Sequence, residues 1–388
     1  MKLQTPYTQK ENFVNRKKKT AFINRTKELD YLKHWISEIP NYILFVYGPK
    51  SSGKTTLLVK FIETHLNNKF FDIKHFNLRE ILIHTYSDFI GAFFEIDDSK
   101  SSKGVKQKRE YNLKLFKLSK EIITSLESKS LDPFVVMKKE LQKIVKKNKC
   151  PIIIIDELQA LEDIYLNGQR ELLKELFNFF VALTKESHLC HVLIASSDGF
   201  FLNKLFNDSK LSKTSSFFEI DYLPKNDVWH WLTHLEQESG INDYHLKNEQ
   251  IETIWHYLGG SMFEISCLLG DLVPIAQNNQ IDNQNLFNAI DRLIQLNIGK
   301  IEHFAGVFDN KFELLKKILN ILSTQDVFRQ RDLKSLVADN WYDGPALIQE
   351  LNNLVRMNIL HFNPTTARYN LHGKSMFFGL KVFVENDS

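Results

Sequence analysis

Residues 48–55 read GPKSSGKT, and this stretch decides the fold. It has the pattern G-x-x-x-x-G-K-[ST], in which glycines let the backbone wrap around a phosphate with its amides pointing inward. An apolar run of strand length, residues 42–47, comes directly before it, and residues 55–66 carry apolar side chains at helical spacing directly after it. Strand, loop and helix in this order bring the positive end of the helix dipole to the phosphate. The stretch therefore predicts a phosphate-binding loop for a nucleoside triphosphate.

The loop also predicts which side chains contact the nucleotide. Lys54 is expected to reach the β- and γ-phosphates, and the Thr55 hydroxyl is expected to ligate Mg²⁺. The residues predicted to bind the nucleotide here are Gly48, Pro49, Lys50, Ser51, Ser52, Gly53, Lys54, Thr55 and Thr56. The sequence contains no guanine-specific Asn-Lys-x-Asp pattern, which favours ATP as the nucleotide.

A second motif supplies the carboxylates that this chemistry needs. Residues 152–155 are isoleucines, and Asp156 and Glu157 follow at the end of this predicted buried strand, where open α/β sheets hold their ligands. We expect Asp156 to hold Mg²⁺ and Glu157 to orient and deprotonate the attacking water. Ser197 ends the next strand and is a candidate catalytic residue that would hydrogen-bond the γ-phosphate or the water. The alternative is that Ser197 only begins the turn to Asp198-Gly199.

The composition is that of a globular protein without a strong charge bias. Of the 388 residues, 43% are hydrophobic and 25% are charged, and the formal net charge is +3, which gives no global field for nucleic acid or a membrane surface. No apolar run approaches the ~20 residues of a membrane span, and the N-terminus lacks the apolar core of a signal peptide. Widely separated cysteines suit a reducing compartment. We therefore expect a cytoplasmic protein.

The pattern of apolar residues divides the chain into regions. Residues 1–20 read as a flexible basic arm, which either contacts phosphates or is a solvated leader. Residues 21–224 alternate apolar strands with helices, so we predict an α/β fold, a P-loop core whose parallel sheet is covered by helices. Residues 225–298 predict an all-helical lid. Residues 299–388 predict three helices followed by a β-hairpin, which is a winged-helix pattern.

Individual elements follow from the same periodicities. In the core we predict strands at 42–47, 71–76, 152–155, 191–197 and 217–222, and helices at 26–38, 55–66, 87–94, 112–128, 135–147 and 170–186. An exposed polar insertion is predicted at 97–110. In the C-terminal region we predict helices at 312–322, 330–339 and 346–357 and a hairpin of 359–363 with 367–371.

Together these residues resemble the archaeal-type ATPases of the STAND class, which are related to AAA+ ATPases within the P-loop superfamily. Beside the phosphate loop, the matching stretches are residues 22–29 (FINRTKEL), 152–159 (IIIIDELQ) and 193–198 (LIASSD). The resemblance also covers the predicted lid and winged helix. It implies hydrolysis of ATP to ADP and phosphate, and it implies a nucleotide-side role for Phe22 and Arg25, near the adenine.

The chain departs from this family in two places. Family members often carry Gly-Arg before the last core strand, where the arginine can sense the γ-phosphate, but residues 210–214 read KLSKT. No arginine lies between Arg170 and Arg292, and Lys213 could substitute only as a point charge. The Gly-x-Pro of the lid is replaced by GGSM at 259–262. Because an arginine finger is worth roughly 10³–10⁵ in rate, we expect a slow, switch-like ATPase.

Two uses of the predicted winged helix remain open. In the first, it engages a protein partner or the core, and ATP sets its position. In the second, it binds duplex DNA with its third helix, as in origin-recognition proteins of similar layout or a mobile or host-defence element. The candidate DNA-contacting residues are Gln349, Asn352, Asn353, Arg356, Arg368 and Lys374.

Charge favours the first of these uses. Residues 299–388 hold eleven Lys or Arg against ten Asp or Glu, which is a weak basic footprint for a DNA-binding domain. A nucleotide-binding scaffold without turnover is disfavoured by the intact Asp156-Glu157 pair. The sequence leaves the partner and the oligomeric state open.

Overall fold

The structure, a computed structural model, describes residues 21–97, 115–165, 171–207, 211 and 213–386, apart from the side chains of Glu80 and Phe206. The predicted basic arm and most of the predicted insertion at 97–110 lie outside these residues. The described chain divides into two compact units. The sheet unit comprises residues 26–221 and 304–372, and the helical unit comprises residues 21–25, 222–303 and 373–386. The four-region division of the sequence stays a prediction.

The first part of the sheet unit alternates strands and helices. Its strands are β1 Ile43–Tyr47, β2 Phe71–Asn77, β3 Phe94–Ile96, β4 Phe116–Leu118, β5 Cys150–Asp156, β6 His191–Ser196 and β7 Ser215–Glu219. Its helices are α1 Thr26–Ser37, α2 Lys54–His65, α3 Tyr86–Phe93, α4 Lys120–Glu127, α5 Pro133–Val145, α6 Leu172–Val181 and α7 Gly199–Asn207. A π-helical turn, Ala182–Glu186, continues α6.

Within the described residues, five of these strands form one sheet in the order β2-β5-β6-β1-β7. Every pairing in it is parallel. All residues of β1 and β6 are buried, as expected for strands covered on both faces. This confirms the predicted α/β fold with a parallel sheet. Because the strands are parallel, the loops that follow β1, β5 and β6 meet at one edge of the sheet.

One predicted helix of the core was wrong in its first half. The sequence predicted a helix over 112–128, but β4 occupies Phe116–Leu118, pairs in parallel with β3, and is followed by α4. Phe116 and Leu118 are buried while Lys117 is exposed, which is the alternation of a strand. The last core strand also lies earlier than predicted, since β7 spans Ser215–Glu219 rather than 217–222.

The helical unit contains α8 Lys225–Thr233, α9 Leu235–Ser239, α10 Asn248–Leu258, α11 Met262–Leu272 and α12 Asn283–Ala305. Among the described residues from 225 to 298 there is no strand longer than an isolated bridge, as the sequence predicted. Trp231 and Tyr244 are fully buried in its core. The aromatic side chains of this region therefore include large core residues.

A C-terminal segment, residues 309–371, belongs to the sheet unit. It contains α13 Asp309–Leu322, α14 Lys334–Ala338, α15 Gly344–Arg356 and an antiparallel hairpin of β8 Leu360–Asn363 with β9 Arg368–Leu371. A further helix, α16 Lys374–Asn386, follows in the helical unit and was not predicted. No helix in the described part of the chain has both the length and the hydrophobicity needed to cross a bilayer.

Candidate nucleotide-binding site

The phosphate loop runs from the end of β1 into α2, as the motif predicted. Gly48 has φ 152°, and a Cβ atom there would lie 2.0 Å from the Ile220 carbonyl oxygen. No other residue fits this close approach, so the first glycine of the motif is required by packing. Gly53 has a left-handed conformation directly before α2. The loop therefore delivers the N-terminus of α2 to the carboxyl edge of the sheet.

Lys54 is buried and folded back over its own loop. Its Nζ atom donates hydrogen bonds to the carbonyl oxygens of Gly48 at 2.9 Å and Pro49 at 2.8 Å. Burial lowers the pKa of Lys54 to about 8, and Arg79 adds to the decrease while Glu157 and Asp156 oppose it. At neutral pH the ammonium group keeps its charge. Anionic phosphate oxygens are stronger acceptors for this group than the neutral carbonyls that it contacts here.

Thr55 and Asp156 bring the two sequence motifs together. The Thr55 hydroxyl donates a hydrogen bond of 2.7 Å to Asp156 Oδ2, and Asp156 is almost fully buried at the end of β5. A hydroxyl beside a buried carboxylate is a donor set that suits Mg²⁺, which proteins hold through one or two carboxylates together with substrate phosphates. Among the described residues there is no cluster of three or more His, Cys, Asp and Glu side chains that could hold a metal ion.

Glu157 is held by neighbours on both of its carboxylate oxygens. Oε1 accepts hydrogen bonds from Arg79 Nη2 and, at 3.3 Å, from the Ser197 hydroxyl, while Oε2 accepts one from Gln159 Nε2. The Glu157 backbone has φ 65°, a left-handed conformation that costs a residue other than glycine roughly 1 kcal/mol or more. The position is therefore both strained and tightly bonded, as is common at functional sites.

The two serines at the end of β6, Ser196 within the strand and Ser197 directly after it, have different partners. Arg79 Nη2 lies 3.4 Å from Ser197 Oγ, so Ser197 contacts both the arginine and Glu157. Ser196 donates to Gln159 Oε1 at 3.0 Å and accepts from the Asp198 amide at 3.1 Å. The serine that begins the turn is thus Ser196, and the structure places Ser197 beside the predicted base.

A cavity of about 420 Å³ opens beside Glu157. One wall comes from the core, and its lining residues are Lys50, Arg79, Glu157, Gln159, Ser197 and Asp198. The opposite wall comes from the C-terminal segment and the residue after it, with Val355, Arg356, Asn358, Leu360, His361 and His372. Both walls belong to the sheet unit.

Two sets of contacts hold the hairpin of the C-terminal segment against the core. Asn363 Nδ2 donates to the Glu219 carboxylate at 2.9 and 3.0 Å, and the Tyr47 hydroxyl lies 3.0 Å from Thr365 Oγ1. Phe362 stacks on Phe200 with ring centroids 5.0 Å apart. The hairpin is thereby fixed beside the phosphate loop.

Sequence reasoning missed several residues of this site. Arg79 lies just beyond the end of β2, which is an outer strand of the sheet. Its position after the carboxyl end of a strand is the signal by which the sequence could have indicated it as a site residue. Gln159 lies within the DELQ stretch, but the sequence predicts no separate role for it. The sequence predicts Arg356 only as a DNA contact, and it contains no signal that indicates His361.

Other predicted residues do not line the cavity. Phe22 and Arg25 lie in the helical unit, where Arg25 is buried, and their nucleotide-side role stays a prediction. Lys213 is exposed and is not among the cavity residues. Lys374 also lies in the helical unit, with its Nζ atom 4.5 Å from the centre of the Trp255 ring.

Comparisons with known proteins agree with this architecture. Residues 22–268 match a family described as an ATPase domain predominantly from Archaea. An ATP-binding protein of Methanocaldococcus jannaschii is 32% identical over 376 residues, covering 94% of this chain and 95% of that protein. Another from the same organism is 36% identical over 300 residues, covering 77% and 82% respectively. The chain therefore belongs to this archaeal-type ATPase family.

Solved structures show the same fold. The Walker-type ATPase PABY2304 of Pyrococcus abyssi matches with a TM-score of 0.62 at 17% identity, covering 95% of this chain and 99% of that chain. The ORC2 protein of Aeropyrum pernix, in its ADPNP–ADP complexes, matches with a TM-score of 0.53 at 11% identity and covers 97% of both chains. The archaeal-type ATPase expected from the sequence is confirmed, while the STAND class and the winged helix stay predictions.

Proposed function

We propose that this protein binds ATP with Mg²⁺ and hydrolyses it slowly to ADP and phosphate, as a nucleotide-driven switch. The observation that carries the proposal is the hydrogen bond between Thr55 and Asp156, because it joins the phosphate loop to the carboxylate motif beside the buried Lys54. Membership of an archaeal ATPase family supports the same reaction.

Binding would use the groups at the carboxyl edge of the sheet. The loop amides and the N-terminus of α2 would receive the phosphates, and Lys54 would leave its carbonyl partners for the β- and γ-phosphate oxygens. When bound, Mg²⁺ would be held by Thr55 and Asp156 and would neutralise part of the phosphate charge.

Hydrolysis would need Glu157 as the general base. Glu157 would orient a water molecule and accept its proton as the water oxygen bonds to the γ-phosphorus, and the bond to the β–γ bridging oxygen would break. Ser197, which already contacts Glu157, would help to orient the water. The products are ADP and inorganic phosphate.

The bonding of Glu157 supports slow turnover. A carboxylate has about four acceptor positions, and the hydrogen bonds from Arg79, Gln159 and Ser197 occupy three of them. An attacking water would have to use the position that remains or displace one of these bonds, and conformational steps of this kind often limit the turnover of enzymes.

The C-terminal segment would be the part that the nucleotide moves. Its helices and hairpin have the element order of a winged helix, and its end of α15 and its β8 strand line the cavity beside Glu157. The hairpin contacts to Tyr47 and Glu219 support engagement of the core rather than of duplex DNA. Because this segment lines the cavity beside Glu157, its position can depend on which nucleotide is bound. If the segment moves away from the core, a protein partner could then bind the surface that becomes exposed.

Steady-state phosphate release from MgATP by the purified chain, with and without duplex DNA, tests the proposal. We expect slow release that DNA does not change and that Lys54→Ala abolishes, with exposed Lys69→Ala as the matched control. Release that rises several-fold with DNA would assign the C-terminal segment to nucleic acid. Release that survives Lys54→Ala would exclude this loop as the site.

A further inference from the structure

The two walls of the cavity beside Glu157 differ in whether their charged side chains have hydrogen-bond or ion-pair partners. On the core wall, Arg79 is paired with Glu157, and Asp198 caps α7 by accepting hydrogen bonds from the amides of Phe200 and Phe201 at 3.0 and 2.9 Å. On the opposite wall, the Arg356 guanidinium has no ion-pair or hydrogen-bond partner among the described residues. The cavity therefore holds a cation whose charge no described carboxylate neutralises.

His361 adds an unpartnered donor or acceptor to the same wall. Its side chain is only 4% exposed, and its Nε2 atom has no hydrogen-bond partner among the described residues. A buried ring nitrogen without a hydrogen-bond partner destabilises the folded state. At a cavity wall, such a group is able to form a hydrogen bond with a polar ligand or a water molecule that enters the cavity.

The position of this wall is fixed by the docked hairpin. Asn363 bonds to Glu219, Phe362 stacks on Phe200, and a Cβ atom on Gly199 would lie 2.2 Å from the Phe362 carbonyl oxygen. Since β8 begins at Leu360, these contacts hold Arg356 and His361 in the cavity that Lys50 and Arg79 also line. A site that is fixed before the ligand arrives loses less entropy on binding.

We propose that Arg356 binds the terminal phosphate of ATP from the C-terminal wall, with His361 beside it, so that one chain distinguishes ATP from ADP. This inference rests on the proposed function, because it requires ATP at the phosphate loop. Arginine suits the role since its planar guanidinium contacts two phosphate oxygens at once. It also supplies within one chain the arginine that is absent between Arg170 and Arg292.

The experiment compares nucleotide affinities of the full chain by calorimetry in Mg²⁺, using ADP and the non-hydrolysable analogue ADPNP, together with phosphate release from ATP. The variants are Arg356→Ala, Arg356→Lys and the control Arg331→Ala, an exposed arginine of the same segment whose ion-pair partner is its neighbour Asp332. Arg356 is exposed, so its variants should melt at the wild-type temperature.

We expect Arg356→Ala to weaken ADPNP binding by at least about tenfold while ADP affinity stays within about twofold, because ADP lacks the terminal phosphate. Phosphate release should fall by about 10² or more, since an arginine at the transferred phosphoryl group is worth roughly 10³–10⁵ in rate. Arg356→Lys should recover part of the ADPNP affinity and little of the rate, because a lysine offers only a point charge. Arg331→Ala should match wild type.

Two results would overturn the inference in different ways. If wild type hydrolyses ATP while Arg356→Ala keeps the wild-type preference for ADPNP and the wild-type rate, Arg356 does not touch the terminal phosphate and the proposed function stands. If wild type binds neither nucleotide, the proposed function fails and the inference fails with it.

Discussion

The two walls of the candidate site are built in different ways. The core wall lies beside the phosphate loop, and key residues on this side of the site are bonded to one another, as Thr55 is to Asp156 and Glu157 is to Arg79. The C-terminal wall comes from residues 355–372, and its Arg356 and His361 side chains have no hydrogen-bond partner among the described residues. On the core side the polar groups satisfy one another without a ligand, whereas on the C-terminal wall a bound phosphate would supply the missing partners.

The largest expected effect concerns the phosphate loop, on the core side of the site. Lys54→Ala removes the buried ammonium that would bind the β- and γ-phosphates, and charge-assisted hydrogen bonds of this kind contribute about 1.5–3 kcal/mol each. We expect ATP affinity, measured by calorimetry, to fall by about 100-fold or more. An unchanged affinity would show that Lys54 and its loop do not hold the phosphates.

The docking of the C-terminal wall is tested by a pair of glycine variants. In Gly199→Ala the new methyl group would meet the Phe362 carbonyl oxygen at 2.2 Å, so the hairpin or α7 must move. Overpacking of this kind typically costs about 1–3 kcal/mol, and we expect that loss in the free energy of unfolding measured with urea.

Gly91→Ala is the matched control for that substitution. Gly91 lies in α3, and a Cβ atom there meets nothing within 4 Å. Alanine should stabilise this helix by about 0.5–1 kcal/mol. If both alanine variants were stabilised alike, the close contact between α7 and the hairpin would not exist in solution.

A smaller effect should appear in the pH dependence of stability. Burial lowers the pKa of His361 from 6.5 to about 4, and the nearby Lys54 adds to the decrease. The folded state therefore disfavours the protonated ring, so the stability that the neutral ring contributes is present above pH 6.5 and is lost as the pH falls towards 4.

His361→Phe removes the titrating group from that position. We expect the wild type to lose roughly 1–2 kcal/mol more than the variant between about pH 7 and about pH 5, measured by urea unfolding without nucleotide. At neutral pH the variant should be about as stable as the wild type, because it also removes the unpartnered nitrogen. Equal pH slopes for the two proteins would show that His361 is solvated.

The positions of the phosphate loop, Asp156, Glu157 and Ser197 could be predicted from sequence because their signals are local, whereas no comparably specific signal marks Arg79 or Gln159. The GPKSSGKT loop is flanked in sequence by a recognisable strand and helix, and Asp156 directly follows a strand of isoleucines. Parallel strands bring their carboxyl ends together, so these two motifs are expected to meet. Ser197 was found by the same rule, since it follows β6 directly.

The C-terminal wall could not be predicted because it depends on long-range packing. The sequence around Arg356 and His361 does not indicate that α15 and β8 lie beside the phosphate loop. Their position depends on the contacts that Asn363 and Phe362 make with distant residues of the core. The family resemblance places a γ-phosphate-sensing arginine just before the last core strand, whereas the two arginines that line the cavity, Arg79 and Arg356, lie outside that segment. The short strand β4 was missed because three residues carry too little periodicity.

The most direct test of the account is turnover by Glu157→Gln at saturating MgATP, with ATP affinity measured on the same protein. The amide introduced by this substitution would keep the shape of the side chain but could not accept a proton from water. We predict ATP affinity within about threefold of wild type and phosphate release at least about 100-fold slower, as expected when a general base is lost. Wild-type turnover by Glu157→Gln would contradict the assignment of Glu157 as the base.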